Sequence, residues 1–128
     1  MPILDSSAYV KYFAKEPGWD KASEHLLQPT SIALAFAEVA NALSKKISLS
    51  EMSKEDAALL LKKMIEITRL VGESESVIPA LKMSIEKRIT VYDALFIVAA
   101  LEHRVGLTTS DAKQAKAAEE LGVSVDLI

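Results

Sequence analysis

Four acidic residues hold positions where chemistry is possible. Asp5 follows the apolar run Ile3-Leu4, and Asp111 follows Leu107-Thr108-Thr109-Ser110. Asp93 stands directly before Ala94-Leu95-Phe96-Ile97-Val98, where a charge entering apolar surroundings needs a partner. Glu38 lies in the opening turn of a helical pattern. Brought together, four carboxylates repel one another and titrate as a coupled set. A hard divalent cation, magnesium or manganese, relieves that repulsion, because both take oxygen ligands. Such an ion polarises a phosphoryl oxygen and lowers the pKa of its water, which permits in-line attack on phosphorus. Each acid alone also has a plainer role, capping a helix N-terminus and facing the positive end of its dipole. Capping does not require a carboxylate, however, and Ser6, Ser7 and Ser110 already stand nearby to do it.

Other side chains would support such a site. Asn41 and Lys45 fall three and seven residues after Glu38, on the same helix face. Asn41 suits a hydrogen bond to a carboxylate or a metal-held water, and Lys45 suits a phosphate; the alternative is an ordinary polar face. Ser6, Ser7 and Thr109 can orient the acids through their hydroxyls or serve simply as caps. Several chemistries are excluded. The chain has no cysteine, so disulfides, thiolate nucleophiles and cysteine-ligated zinc drop out. No Gly-rich phosphate loop and no Gly-x-Ser-x-Gly elbow is present. His25 and His103 stand alone on helices, without metal-ligand spacing, and are expected at the surface.

These residues must be positioned by a compact scaffold. At 128 residues the length suits one domain, expected to span residues 1–128. Fifteen basic and 18 acidic residues give a net charge of -3, which argues mildly against purely electrostatic binding of nucleic acid. That objection weakens where bound metal neutralises clustered acids. The N-terminus lacks the basic stretch and apolar core of a signal peptide, and the apolar run from Ala94 to Leu101 is too short to cross a bilayer. A cytoplasmic location without membrane association is the expectation.

Short apolar runs alternate with helical patterns throughout. Strands are expected at Pro2–Leu4, Ser31–Leu34, Leu70–Gly72, Val105–Thr108 and Val123–Ile128. Helices are expected from Ser6 to Ala14, across Trp19 to Leu27, and from Ala35 to Ile47, where Phe36, Val39, Ala40, Leu43 and Ile47 share a face. Ser53 followed by Asp56 opens another helix running to Ile67, and Pro79 suits the first turn of one ending near Arg88. Val91 to His103 is apolar nearly all round, which predicts a buried helix. A last helix, capped by Ser110 or Asp111, stops at Gly122. The aromatic residues Tyr9, Tyr12, Phe13 and Trp19 suit core packing, with a partner-binding groove as the sharper reading. Alternation of this kind predicts a parallel sheet covered on both faces, a three-layer α/β/α domain. In such sheets ligands collect at the carboxyl ends of the strands, where Asp5 and Asp111 would stand.

Four blocks in order give the chain a family resemblance. They are Leu4-Asp5-Ser6-Ser7-Ala8-Tyr9-Val10-Lys11-Tyr12-Phe13 with Glu16-Pro17-Gly18, then Ala37-Glu38-Val39-Ala40-Asn41-Ala42-Leu43, then Tyr92-Asp93-Ala94-Leu95-Phe96, and lastly Leu107-Thr108-Thr109-Ser110-Asp111 with Leu121-Gly122-Val123. The chain resembles the PIN-domain family over nearly its whole length, and within it the VapC-type toxins of toxin–antitoxin pairs. The resemblance implies a five-stranded parallel sheet and a metal-dependent ribonuclease. Its four acids map onto Asp5, Glu38, Asp93 and Asp111, and its polar helper maps onto Thr109. It further implies an RNA substrate, products with 5′-phosphate and 3′-hydroxyl ends, a homodimer, and a small VapB-like antitoxin that silences the site. A phosphorelay receiver fits poorly, because Leu70-Val71-Gly72 is followed by Glu73 and the chain ends at Ile128. A haloacid-dehalogenase-type phosphatase would need an aspartate where Ser7 stands. Two alternatives remain: a PIN fold that only binds or regulates, and a housekeeping RNA-processing nuclease.

Overall fold

The computed structural model describes all residues from 1 to 128. It contains five short strands: β1 (Ile3–Leu4), β2 (Thr30–Ser31), β3 (Arg69–Leu70), β4 (Leu107–Thr109) and β5 (Val125–Leu127). All pair in parallel, in the order β3-β2-β1-β4-β5. Seven α-helices connect and cover them: α1 (Ser6–Phe13), α2 (Trp19–Ala22), α3 (Leu34–Ser48), α4 (Lys54–Ile67), α5 (Val77–Lys87), α6 (Val91–His103) and α7 (Ala112–Glu120). This is the expected α/β architecture with a five-stranded parallel sheet.

Helix limits follow local chemistry closely. Ser53 accepts a hydrogen bond from Asp56 N at 3.0 Å and starts α4, as its spacing predicts. Thr90 does the same for α6 through Asp93 N at 3.0 Å. Of the two candidates for the α7 cap, Asp111 is used; its Oδ1 accepts from Lys113 N and Gln114 N. Helix α6 is the buried one. Ala94 and every residue from Phe96 to Ala100 are buried, and α6 packs against α5, β1 and β4. Helix α3 keeps Ala35, Val39 and Leu43 inside, the stripe its periodicity predicts.

The strands depart from their sequence outlines. The second occupies Thr30–Ser31 rather than Ser31–Leu34, because Leu34 already belongs to α3. The third is Arg69–Leu70 and exposed, the fourth and fifth are three residues each, and the helix expected across Trp19–Leu27 changes to a 3-10 turn at Ser23–Leu26. Short edge strands carrying Arg69 and Asp126 discourage pairing with another chain. Gly106 lets β4 approach its neighbour closely: a Cβ there would stand 2.8 Å from the Ser124 carbonyl oxygen. Of the aromatic residues, Tyr9 and Phe13 join the core while Trp19 stays partly exposed, its ring beneath Lys15. His103 is exposed as expected, whereas His25 is half-buried beside Glu24 at 3.5 Å.

Candidate active site

The strand order sets the site. The chain moves outward from β1 through β2 to β3, then crosses back to β4 and β5 on the other side of β1. That reversal opens a crevice at the carboxyl ends of β1 and β4, where parallel sheets bind ligands. Leu4 lies opposite Thr108 in the ladder, so the next residues on each strand, Asp5 and Thr109, become neighbours. A cavity of about 610 Å³ opens here. Asp5, Glu38, Asp93 and Asp111 all line it, together with Ser6, Ser7, Asn41 and Lys45.

Asp5 is the buried member, 6 % exposed. It caps α1 by accepting from Ala8 N at 3.2 Å, the plainer of the two roles expected for this acid. The capping oxygen, Oδ1, also accepts from Ser7 Oγ at 2.6 Å, and Oδ2 accepts from Thr109 Oγ1. These two hydroxyls reach onward. Ser110 N donates to Ser7 Oγ at 2.8 Å, and Asp111 N donates to Thr109 Oγ1 at 3.0 Å. Thr109 thus contacts Asp5 directly, while Ser7 ties Asp5 to the loop after β4. Ser6 has a different partner, donating to Glu38 Oε1 at 2.6 Å across α1 and α3. Gln114 Nε2 donates to the Asp93 carbonyl at 2.9 Å and joins α7 to the first turn of α6. The sequence offered no signal for that contact, nor for Glu16 and Glu51, which also line the cavity. Thr109 is fully buried, and Asn41 is exposed on the cavity wall.

The electrostatics are those of an uncompensated acidic pocket. No lysine, arginine or histidine lies within ion-pair distance of any of the four acids. Burial pushes the Asp5 carboxyl above its ordinary range, against hydrogen bonds from Ser7, Thr109 and Ala8, and the Asp111 charge adds to the rise. Burial likewise raises Asp93, helped by Asp111 and opposed by the Thr90 hydroxyl and the Lys113 charge. An all-oxygen donor set short of positive charge fits a divalent cation. No three acids converge tightly enough to cage one ion directly. Magnesium does not need that: it keeps several waters and commonly uses one or two carboxylates. The donor chemistry therefore fits magnesium or manganese, with waters completing the shell.

A parallel α/β fold with a carboxylate-lined pocket at its switch point defines the class. The family described as PIN domain matches residues 3–120, and the chain belongs to that family. PIN domains are generally nucleases and use divalent metals. The chain is also similar to the crystal structure of PAE2754 from Pyrobaculum aerophilum, with a TM-score of 0.77 and 23% identity, over 96% of this chain and 87% of that one. At that identity the likeness speaks to the fold alone. No curated protein sequence matches the chain. No helix is long and apolar enough to cross a membrane.

Proposed function

We propose that the chain is a magnesium- or manganese-dependent ribonuclease, the toxin of a VapBC-type toxin–antitoxin pair, acting as one domain over residues 1–128. The observation that carries the reading is the set of four acids lining one cavity with no cation partner. Asp5, Asp93 and Glu38 would hold the metal, some of them through its waters, and Asp111 would complete or support the site. When bound, a divalent ion stabilises charge developing on the phosphoryl group and makes a coordinated water more acidic.

The chain's own residues do the positioning. Ser7 and Thr109 fix both Asp5 oxygens, so this carboxylate is held before any ligand arrives. Ser6 orients Glu38 from the facing helix. Asn41, one turn beyond Glu38, presents an amide to the same space for a carboxylate, a water or a phosphate oxygen. Attack of water on phosphorus with the 3′ oxygen as leaving group would break the P–O3′ bond and give 5′-phosphate and 3′-hydroxyl ends.

The partner assignments belong to the same proposal. A small VapB-like antitoxin would silence the site, and a short reading frame for it next to this one would favour the toxin role over housekeeping RNA processing. A homodimer is supported by the apolar outer face of α5, where Ile78 and Ile85 are 70% and 72% exposed and Leu81 lies between them. Sedimentation at equilibrium checks it. A cytoplasmic location suits an RNA substrate.

The test is incubation with mixed single-stranded RNA in magnesium or manganese, beside EDTA and the Asp93→Asn variant. Metal-dependent cleavage lost in the variant supports the ribonuclease. Products ending in 2′,3′-cyclic phosphate would overturn the mechanism. No cleavage by folded, antitoxin-free protein would favour a PIN fold that only binds.

A further inference from the structure

We propose that Lys45 on α3 and Lys113 on α7 hold the two phosphates flanking the scissile one, so that single-stranded RNA crosses the cavity from α3 to α7. This rests on the ribonuclease reading for its substrate and adds the path of the strand.

The need for such contacts follows from charge. The protein carries a net charge of -3, and its cavity is lined by Asp5, Glu16, Glu38, Asp93 and Asp111, none in an ion pair, so bulk electrostatics repel a polyanion. Affinity for RNA comes largely from phosphate neutralisation by cations, which here must be local. Few cations near the cavity are free to supply it. Lys46 lines the cavity but pairs with Glu51 at 3.4 Å. Lys45 lines it as well, is exposed, and has no acidic partner within ion-pair distance. It shares the Glu38–Asn41 face of α3 and stands two turns beyond Glu38, about 10 Å along the helix axis. That offset suits a phosphate next to the one at the acids.

Lys113 is the counterpart. It lies in the first turn of α7, exposed, outside every ion pair, and near enough to Asp93 for its charge to act there. Helix α3 leaves the sheet from β2 and α7 leaves from β4, on opposite sides of β1. Lys45 thus stands on the α3 side of the acids, and Lys113, whose backbone N–H donates to Asp111 Oδ1 at 2.9 Å, on the α7 side. Phosphate contacts of this kind grip the backbone and carry no sequence information directly.

The experiment measures binding and cleavage separately. In an Asp93→Asn background that preserves the strand, anisotropy of a labelled RNA oligonucleotide is followed against salt for Lys45→Ala, Lys113→Ala and the double variant. Each single change should weaken binding several-fold for all sequences. Each should also lower the slope of log affinity against log salt by about 0.7, the value for one lost contact on a single strand. Lys45→Arg and Lys113→Arg should restore the slope. In the otherwise wild-type enzyme, the loss of kcat/KM should fall mainly on KM for the oligonucleotide. It should shrink on a dinucleotide, which has no flanking phosphate. An unchanged salt slope in both variants, or equal losses on oligonucleotide and dinucleotide, would overturn the proposal. Should wild type cleave nothing while the slopes still fall, the ribonuclease reading fails and the strand path stands.

Discussion

Ser7 donates its hydroxyl to Asp5 Oδ1 at 2.6 Å and accepts from Ser110 N at 2.8 Å, so one side chain ties the carboxylate after β1 to the loop after β4. The two ends of that tie are 103 residues apart in sequence. Removing the hydroxyl leaves Asp5 Oδ1 with only the Ala8 N–H and the Ser110 N–H without its acceptor. Ser7→Ala should reduce metal-dependent cleavage by about 10- to 100-fold, the usual scale for losing a group that orients a ligand. Ser7→Thr should recover part of it. Calorimetric titration with manganese checks the cause, since weaker binding of metal to folded protein separates misorientation from unfolding.

Stability without metal should depend on pH through the two raised carboxyls. Asp5 and Asp93 have pKa values above their unfolded ones. Between the ordinary and the raised value, the native state binds more protons than the unfolded state. Their contribution to stability therefore falls as pH rises through that window. Asp93→Asn should remove its part of the fall and raise the Tm of metal-free protein near neutral pH. Thermal melts of wild type and variant across mildly acidic to neutral pH, in EDTA, provide the comparison. A variant less stable than wild type at neutral pH would contradict it.

Magnesium should reverse the same trend. Protons and metal compete for these carboxylates, so added metal should raise Tm more at slightly alkaline pH than at mildly acidic pH. Removal by EDTA should return the melting curve to its metal-free position. Equal shifts at both pH values would place the binding elsewhere.

Gln114 holds Asp93 in place from a distance. Its amide donates to the Asp93 carbonyl, and the residue is 3 % exposed. Gln114→Ala should cost about 1 kcal/mol from the lost hydrogen bond, with more from the cavity it leaves. It should also lower cleavage, because α7 and α6 then set Asp111 and Asp93 less firmly against each other. Denaturant titration and single-turnover cleavage measure the two effects.

Gly106 tests the sheet itself. An added Cβ meets the Ser124 carbonyl oxygen at 2.8 Å, and a backbone atom in a parallel ladder has little freedom to move. Gly106→Ala should destabilise the protein by about 1–3 kcal/mol, as overpacking does. Urea denaturation measures it.

The helices, and the four acids that the structure places along one cavity, could be picked out in the sequence because their signals are local. Val91–His103 is apolar on all sides over its middle, and Ser53 sits three residues before Asp56, so burial in one case and capping in the other need no distant partner. Asp5, Asp93 and Asp111 each stand where an apolar run meets a helix start, which is also a local pattern, whereas Glu38, expected in the first turn, lies in the second because α3 already begins at Leu34. The strands could not be placed as well. Thr30–Ser31 and Arg69–Leu70 are two residues each, and their limits come from the neighbours they pair with rather than from β-propensity. The gathering of the site was likewise beyond sequence. The sheet order puts Leu4 opposite Thr108, and only then do Ser7 and Thr109 bridge Asp5 to the Asp111 loop and Gln114 reach Asp93. Sequence by itself determined which residues can do chemistry, because that is a property of side chains and nearby backbone. Tertiary structure decided which of them meet, because hydrogen bonds and charges act over a few ångströms while the chain separates these partners by up to about a hundred residues.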